Sequence, residues 1–277
     1  AVRSDAPAVQ ALHEEYLAAG ADIIRTNTFQ LNLRIYLNVF RNANHMRHIG
    51  APDRASRATL LLRRAVELAR AARERSGRSQ VAIGGSCPPG EFASRRPPPP
   101  PRGGPHAEHR EIAEILADAG VDFLLLESMN TIGEARAAAE AAMTTGLPVW
   151  ISFVLGPEGN VLSGESLAEA VRAVREVGVE AVLVNCVPPE DVARALETLA
   201  AAGGVYGGYA HVGKFDPPSW KFEFFPQFSQ TEAWPPERYA VAVQGWREHG
   251  ARIVGGCCGT GPAHVRALRA TIGDPWQ

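Results

Sequence analysis

The sequence predicts an α/β protein built as a single (β/α)8 TIM barrel over residues 1–277, and three observations carry that expectation. A phrase made of a helix end, a glycine and a short apolar run recurs: "AAGADIIRTNTF" at 18–29, "DAGVDFLLLES" at 118–128, "EVGVEAVLVNC" at 176–186 and "EHGARIVGGCC" at 248–258. Three more apolar runs of the same kind, "QVAIGGSC", "LPVWISFVL" and "GGVYGGYAH", bring the expected strands to seven. Amphipathic stretches separate these runs, and strict alternation of strand and helix favours parallel strands ringed by helices.

The elements follow in order. An amphipathic stretch at 7–19 opens the chain and is followed by Gly20 and the strand "ADIIRTNTF". Helical stretches at 55–75, 107–118, 133–144, 165–177, 189–202, 236–249 and 262–271 alternate with the remaining strands. Gly20, Gly120, Gly178 and Gly250 suit the left-handed residue that closes a helix, and the apolar runs after them read as strands buried on both faces. Eight helices against seven strands, with a helix first, imply that the barrel lacks its first strand in this chain. An open doubly wound sheet is the runner-up, but no G-x-G-x-x-G follows an early strand.

Two segments break the rhythm. Residues 90–107 hold five consecutive prolines and read as an extended loop. Residues 212–235 form a long aromatic-rich loop, and such length points to a covering role.

Composition narrows the partners. Lysine plus arginine total 28 and aspartate plus glutamate 30, so no basic surface points to nucleic acid. A small molecule is the expected partner. No apolar run approaches the roughly 18 residues needed to cross a membrane, and "AVRSDAPAVQ" lacks the apolar centre of a secretory signal, so a cytoplasmic location is expected. Four cysteines are too few for a disulfide framework and favour reduced or metal-bound thiols.

Those thiols fall at one end of the barrel. Cys257 and Cys258 end the last strand and Cys186 ends "AVLVNC"; in this fold the active site lies at the C-terminal ends of the strands. A disulfide between neighbours would strain the peptide that links them. Both members of the doublet can reach one ion if the backbone leaves strand geometry, which Gly255, Gly256 and Gly259 permit. Three thiolates without an obvious fourth partner match a catalytic zinc with an open position. The competing reading makes Cys186 a small buried apolar residue. Cys87 also ends a strand and would close a four-cysteine structural site.

Three further groups lie on the same rim. Glu127 ends "VDFLLLE", where a buried carboxylate needs a partner. Thr26, Asn27 and Thr28 end their strand as neutral hydrogen-bonding groups suited to an amino-acid headgroup, and Asn185 precedes a metal cysteine as a supporting contact. His264, in the first turn of the last helix, is read as structural.

Taken in order, "ADIIRTNTF", "LLLESMNTIGEA", "VNC" and "GGCCGTGPAHVRAL" closely resemble the homocysteine S-methyltransferase family over nearly the whole chain. The resemblance implies zinc (Zn2+) held by Cys186, Cys257 and Cys258, and methyl transfer to the sulfur of homocysteine, giving methionine. It also implies that Glu127 is a catalytic-site carboxylate that binds the substrate ammonium. The family begins with a strand carrying an aspartate and glycines, and this sequence has no such segment. That departure keeps open a zinc-binding barrel without activity, and another small thiol is a third possibility. A cationic methyl donor could sit on Trp220, Phe222, Phe224, Phe225 or Trp234.

Overall fold

The computed structural model describes residues 2, 5–29, 31, 54–90, 104–216 and 227–273. Among them, seven strands form one parallel sheet in the order β1 (Ile23–Arg25), β2 (Ala82–Cys87), β3 (Phe123–Met129), β4 (Val149–Phe153), β5 (Ala181–Asn185), β6 (Val205–Ala210) and β9 (Ile253–Gly256). All seven expected strands are present, and β1 and β9 are the two edges of the curled sheet.

The helices are α1 (Ala6–Ala18), α2 (Arg54–Ser76), α3 (Gly104–Ala119), α4 (Ile132–Met143), α5 (Leu167–Val177), α6 (Pro189–Ala202), α7 (Pro236–Glu248) and α8 (Pro262–Ile272). Each falls on an expected amphipathic stretch. Gly20, Gly120, Gly178 and Gly250 do take left-handed φ values, of 97°, 90°, 104° and 88°. None of the described helices is long and apolar enough to cross a membrane.

The 212–235 segment differs from the expected loop. It contains a short antiparallel hairpin, β7 (Lys214–Asp216) paired with β8 (Gln227–Ser229). The pairing is only three residues long, and the proline- and aromatic-rich sequence between its strands leaves too little alternation for a strand signal. The proline run at 97–101 lies outside the described residues.

Side-chain alternation divides the sheet into two faces. Ile24, Ile83, Leu124, Leu126, Ile151, Val182 and Val184 join the main core between sheet and helices. Phe123, Leu125, Leu183 and Tyr209, with Ile23, Ala82, Trp150 and Ile253, fill the inside of the barrel. Extending the inner set to the C-terminal strand ends gives Arg25, Ser86, Glu127, Ser152, Asn185, Tyr209 and Cys257. The fold thus delivers a ring of polar groups to one mouth.

Candidate metal centre

Cys186 belongs by alternation to the helix side, with Val182 and Val184. A left-handed φ of 53° breaks that alternation, a conformation that costs a β-carbon residue about 1–3 kcal/mol. Its Sγ lies 3.7 Å from that of Cys258, which in turn lies 4.0 Å from Cys257 Sγ. All three sulfurs fall within 4.8 Å of one another.

The doublet is held by its backbone. Cys257 N–H donates to Ala210 O at 2.8 Å, and Cys258 O accepts from Val212 N–H at 2.9 Å, carrying the β6–β9 pairing past the end of the strand. Thr260 then turns the chain, its hydroxyl donating to Cys257 O at 2.7 Å. Gly259 has φ 79°, and a β-carbon there would lie 2.5 Å from Phe228 and 2.7 Å from Val212 O. No other residue type fits that turn unstrained, and the β7–β8 hairpin is packed against it through Phe228.

These spacings fit a tetrahedral ion. With zinc–sulfur bonds of about 2.3 Å, the edge of a thiolate tetrahedron is about 3.8 Å, and the separations of 3.7 and 4.0 Å bracket it. They are far too long for a disulfide, whose sulfurs are about 2.05 Å apart. The protons distribute unevenly over the set. Hydrogen bonds from Cys186 and then Cys257 push the Cys258 thiol down to about 3. Hydrogen bonding to Cys257 and Cys258, with burial, pushes Cys186 well up. Cys257 is pulled down by its bond with Cys186, but the bond to Cys258, burial and the Cys258 charge outweigh that and leave it at about 11. A cluster that readily surrenders one proton and resists the next is one that a cation completes.

Cys87 stands apart. It lies on the outer face in the main core, 1% exposed, with its Sγ 3.7 Å from Gly85 O. Unlike Cys186, it keeps its strand's alternation, and its sulfur is not among the three that cluster.

Glu127, 2% exposed, is the hub of the inner ring. Its Oε2 accepts from Ser86 Oγ, and its Oε1 accepts from Arg25 Nη1 and from Tyr209 OH, the last at 2.8 Å. Tyr209 remains a donor, because burial and then the Glu127 charge push its phenol well up. Ser152 Oγ, 2.8 Å from Tyr209 OH, accepts from Ser128 N–H at 3.1 Å. Ser128 has φ 61° at a register shift between β3 and β4, and its Oγ accepts from Asn185 Nδ2 at 2.8 Å.

The remaining expected residues separate. Thr28 Oγ1 donates to Ser86 O at 2.6 Å and Thr26 Oγ1 accepts from Ser86 N–H at 3.0 Å, so both buried hydroxyls brace the residue that holds Glu127. Because the Thr28 proton goes to Ser86 O, Thr26 is the donor in their 2.8 Å contact. Asn27 is exposed between them. His264 accepts from Gly261 N–H at 3.2 Å and reaches Trp234 O at 3.1 Å, which ties the start of α8 to the segment before α7. Trp234 has its ring covered by the Arg238 guanidinium 4.2 Å from the centroid, so that face is taken. Trp220, Phe222, Phe224 and Phe225 lie outside the described residues.

Arg25, Ser86, Ser152 and Tyr209 join the Glu127 cluster without having been singled out from the sequence. Their signal was available: each has the inner parity of its own strand near the strand's C-terminal end.

Sequence and fold place the chain among known methyltransferases. The chain is 26% identical to homocysteine S-methyltransferase 1 of Arabidopsis thaliana, over 94% of this chain and 81% of that protein. It is 28% identical to a selenocysteine methyltransferase of Astragalus bisulcatus, again over 94% and 81%. Among solved structures, the homocysteine methyltransferase MmuM from Escherichia coli in its apo form is similar with a TM-score of 0.69 and 25% identity, covering 95% of this chain and 84% of that one. The pattern of the homocysteine S-methyltransferase family matches residues 2–272, and the chain belongs to that family.

Proposed function

We propose that this chain transfers a methyl group from a small cationic donor to the thiol of homocysteine, giving methionine, with zinc held by Cys186, Cys257 and Cys258. The observation that carries it is the approach of three thiols, from the ends of β5 and β9, to within 4.8 Å of one another, with Cys258 at tetrahedral-edge spacing from both of the others, on the rim that also holds Glu127. Bound zinc supplies Lewis acidity, keeping as thiolate a thiol that with a pKa of about 8.5 is mostly protonated at neutral pH.

The chain's residues supply position. Glu127 receives the substrate ammonium, Asn185 supports Cys186 from the adjoining position, and Asn27 contacts the headgroup from the rim while Thr26 and Thr28 keep Ser86 against Glu127. In the reaction the donor's C–N or C–S bond breaks, its electron pair stays on the donor heteroatom, and a new S–CH3 bond forms. The thiol proton goes to solvent. The onium nitrogen or sulfur of the donor becomes uncharged as it gives up the methyl. A selenol acceptor is the rival reading, and the selenocysteine methyltransferase relative favours it.

The test is methionine formation by metal-loaded protein with homocysteine and, in turn, betaine, S-methylmethionine and S-adenosylmethionine. Turnover with one donor supports the proposal. No turnover with any of them, from protein holding about one zinc, leaves a metal-binding barrel without this activity.

A further inference from the structure

A carboxylate that waits for an ammonium group needs no cation of its own, yet Glu127 already has one. Arg25, at the inner end of β1, donates from Nη1 to Glu127 Oε1. The two partners are unequally placed: the Glu127 side chain is 2% exposed and that of Arg25 is 41% exposed. The Arg25 guanidinium carbon also lies 5.5 Å from the centroid of the Tyr209 ring, which helps fix the direction of the fork. A guanidinium offers about five N–H donors in one plane, and the contact with Glu127 Oε1 uses one of them.

Two acceptor positions complete the picture. A carboxylate has about four lone-pair sites, and Glu127 fills three of them with Arg25, Ser86 and Tyr209. Asn185 is 2% exposed, and its Oδ1 is buried without a hydrogen-bond partner, although its Nδ2 donates to Ser128. A buried acceptor left open is costly, and one on a functional rim calls for a donor from a ligand.

The Arg25 and Glu127 pair has no net charge. An amine alone meets repulsion from the arginine as well as attraction from the glutamate, and a carboxylate alone meets the reverse. A zwitterion satisfies both, with its carboxylate on the free side of the Arg25 fork and its ammonium on Glu127 and Asn185 Oδ1. We infer that Arg25 is a specificity-determining residue that, together with Glu127 and Asn185, selects thiols carrying an intact α-amino-acid headgroup. The inference rests on the proposed function for the thiol end of the substrate. It adds the group that reads the carboxylate.

Calorimetric binding to the zinc-loaded full chain tests this without a methyl donor. L-Homocysteine is compared with 3-mercaptopropylamine, which lacks the carboxylate, and 4-mercaptobutyrate, which lacks the ammonium. Each analogue should bind the unaltered chain about 10- to 100-fold more weakly than homocysteine, as expected for losing one charge-assisted contact. In Arg25→Gln the penalty for lacking the carboxylate should shrink to about twofold while the penalty for lacking the ammonium persists. Because that variant leaves Glu127 without its cation, the neutral pair Arg25→Gln with Glu127→Gln is the second variant, and in it both penalties should collapse. Equal binding of homocysteine and 3-mercaptopropylamine to the unaltered chain overturns the inference with no variant needed. So does an Arg25→Gln chain that binds all three thiols more weakly by one common factor, which marks a purely structural role. If homocysteine binds with this discrimination but no donor gives methionine, the proposed function falls and the role of Arg25 stands.

Discussion

The two halves of the barrel mouth are built in opposite ways. At the ends of β1, β2, β3 and β6, the Glu127 cluster uses residues that keep the inner-face alternation of their strands, and its carboxylate already holds Arg25, Ser86 and Tyr209. At the ends of β5 and β9 the thiols come together through departures from strand geometry: φ 53° at Cys186 and φ 79° at Gly259. The first half is held by hydrogen bonds among its own side chains, whereas the second spends backbone strain at Cys186 to gather three sulfurs that have mainly one another for partners. Strain of this kind persists where the surroundings over-determine it. On the proposed function, the thiol half serves a cation and the carboxylate half the substrate headgroup.

That contrast predicts separable losses. The largest effect should come from serine at Cys186, Cys257 or Cys258: zinc content falls from about one per chain to none, and methyl transfer is abolished with it. Metal analysis after dialysis decides this, and full zinc retention in Cys257→Ser would remove the site assignment. Next is Glu127→Gln, which should weaken homocysteine binding by about 10- to 100-fold through loss of one charge-assisted contact, while zinc content stays unchanged. Zinc loss with unaltered affinity would move Glu127 from the headgroup to the frame, and the two halves would no longer be separable.

Gly259→Ala should act between the halves. Its forced left-handed β-carbon costs about 1–3 kcal/mol, read as a lower urea midpoint, and zinc should dissociate faster because the turn after Cys258 shifts. The smallest effect belongs to Cys87→Ser. A buried hydroxyl on the outer face should lower stability by about 1–3 kcal/mol and leave zinc content and turnover per zinc as they were. Loss of zinc there would reinstate Cys87 as a ligand.

How much of this was legible follows the same division. Strand and helix positions were readable because the apolar runs and glycine helix ends repeat, and the sulfurs were readable because cysteine is rare in this chain and falls at strand ends. Glu127 stood out as a charge closing the run "FLLL". Arg25, Ser86 and Tyr209 did not, since an arginine, a serine and a tyrosine beside strands are ordinary residues until the parity of each strand is fixed by its neighbours. The convergence of Cys186 with the doublet went the other way: alternation places it outside, and a single positive φ, which no local sequence signal announces, brings its sulfur to 3.7 Å from that of Cys258. Thr26 and Thr28 show a further limit. Their hydrogen-bonding capacity was evident, but its use on Ser86 depends on the β1–β2 register.

The central claim is that the thiol half holds zinc through three cysteines and keeps one place for the substrate sulfur. X-ray absorption at the zinc edge tests it most directly. Zinc-loaded protein should show three sulfur neighbours at about 2.3 Å without substrate and four once L-homocysteine is added. Four sulfurs before homocysteine, or three that stay three when it is bound, would contradict it.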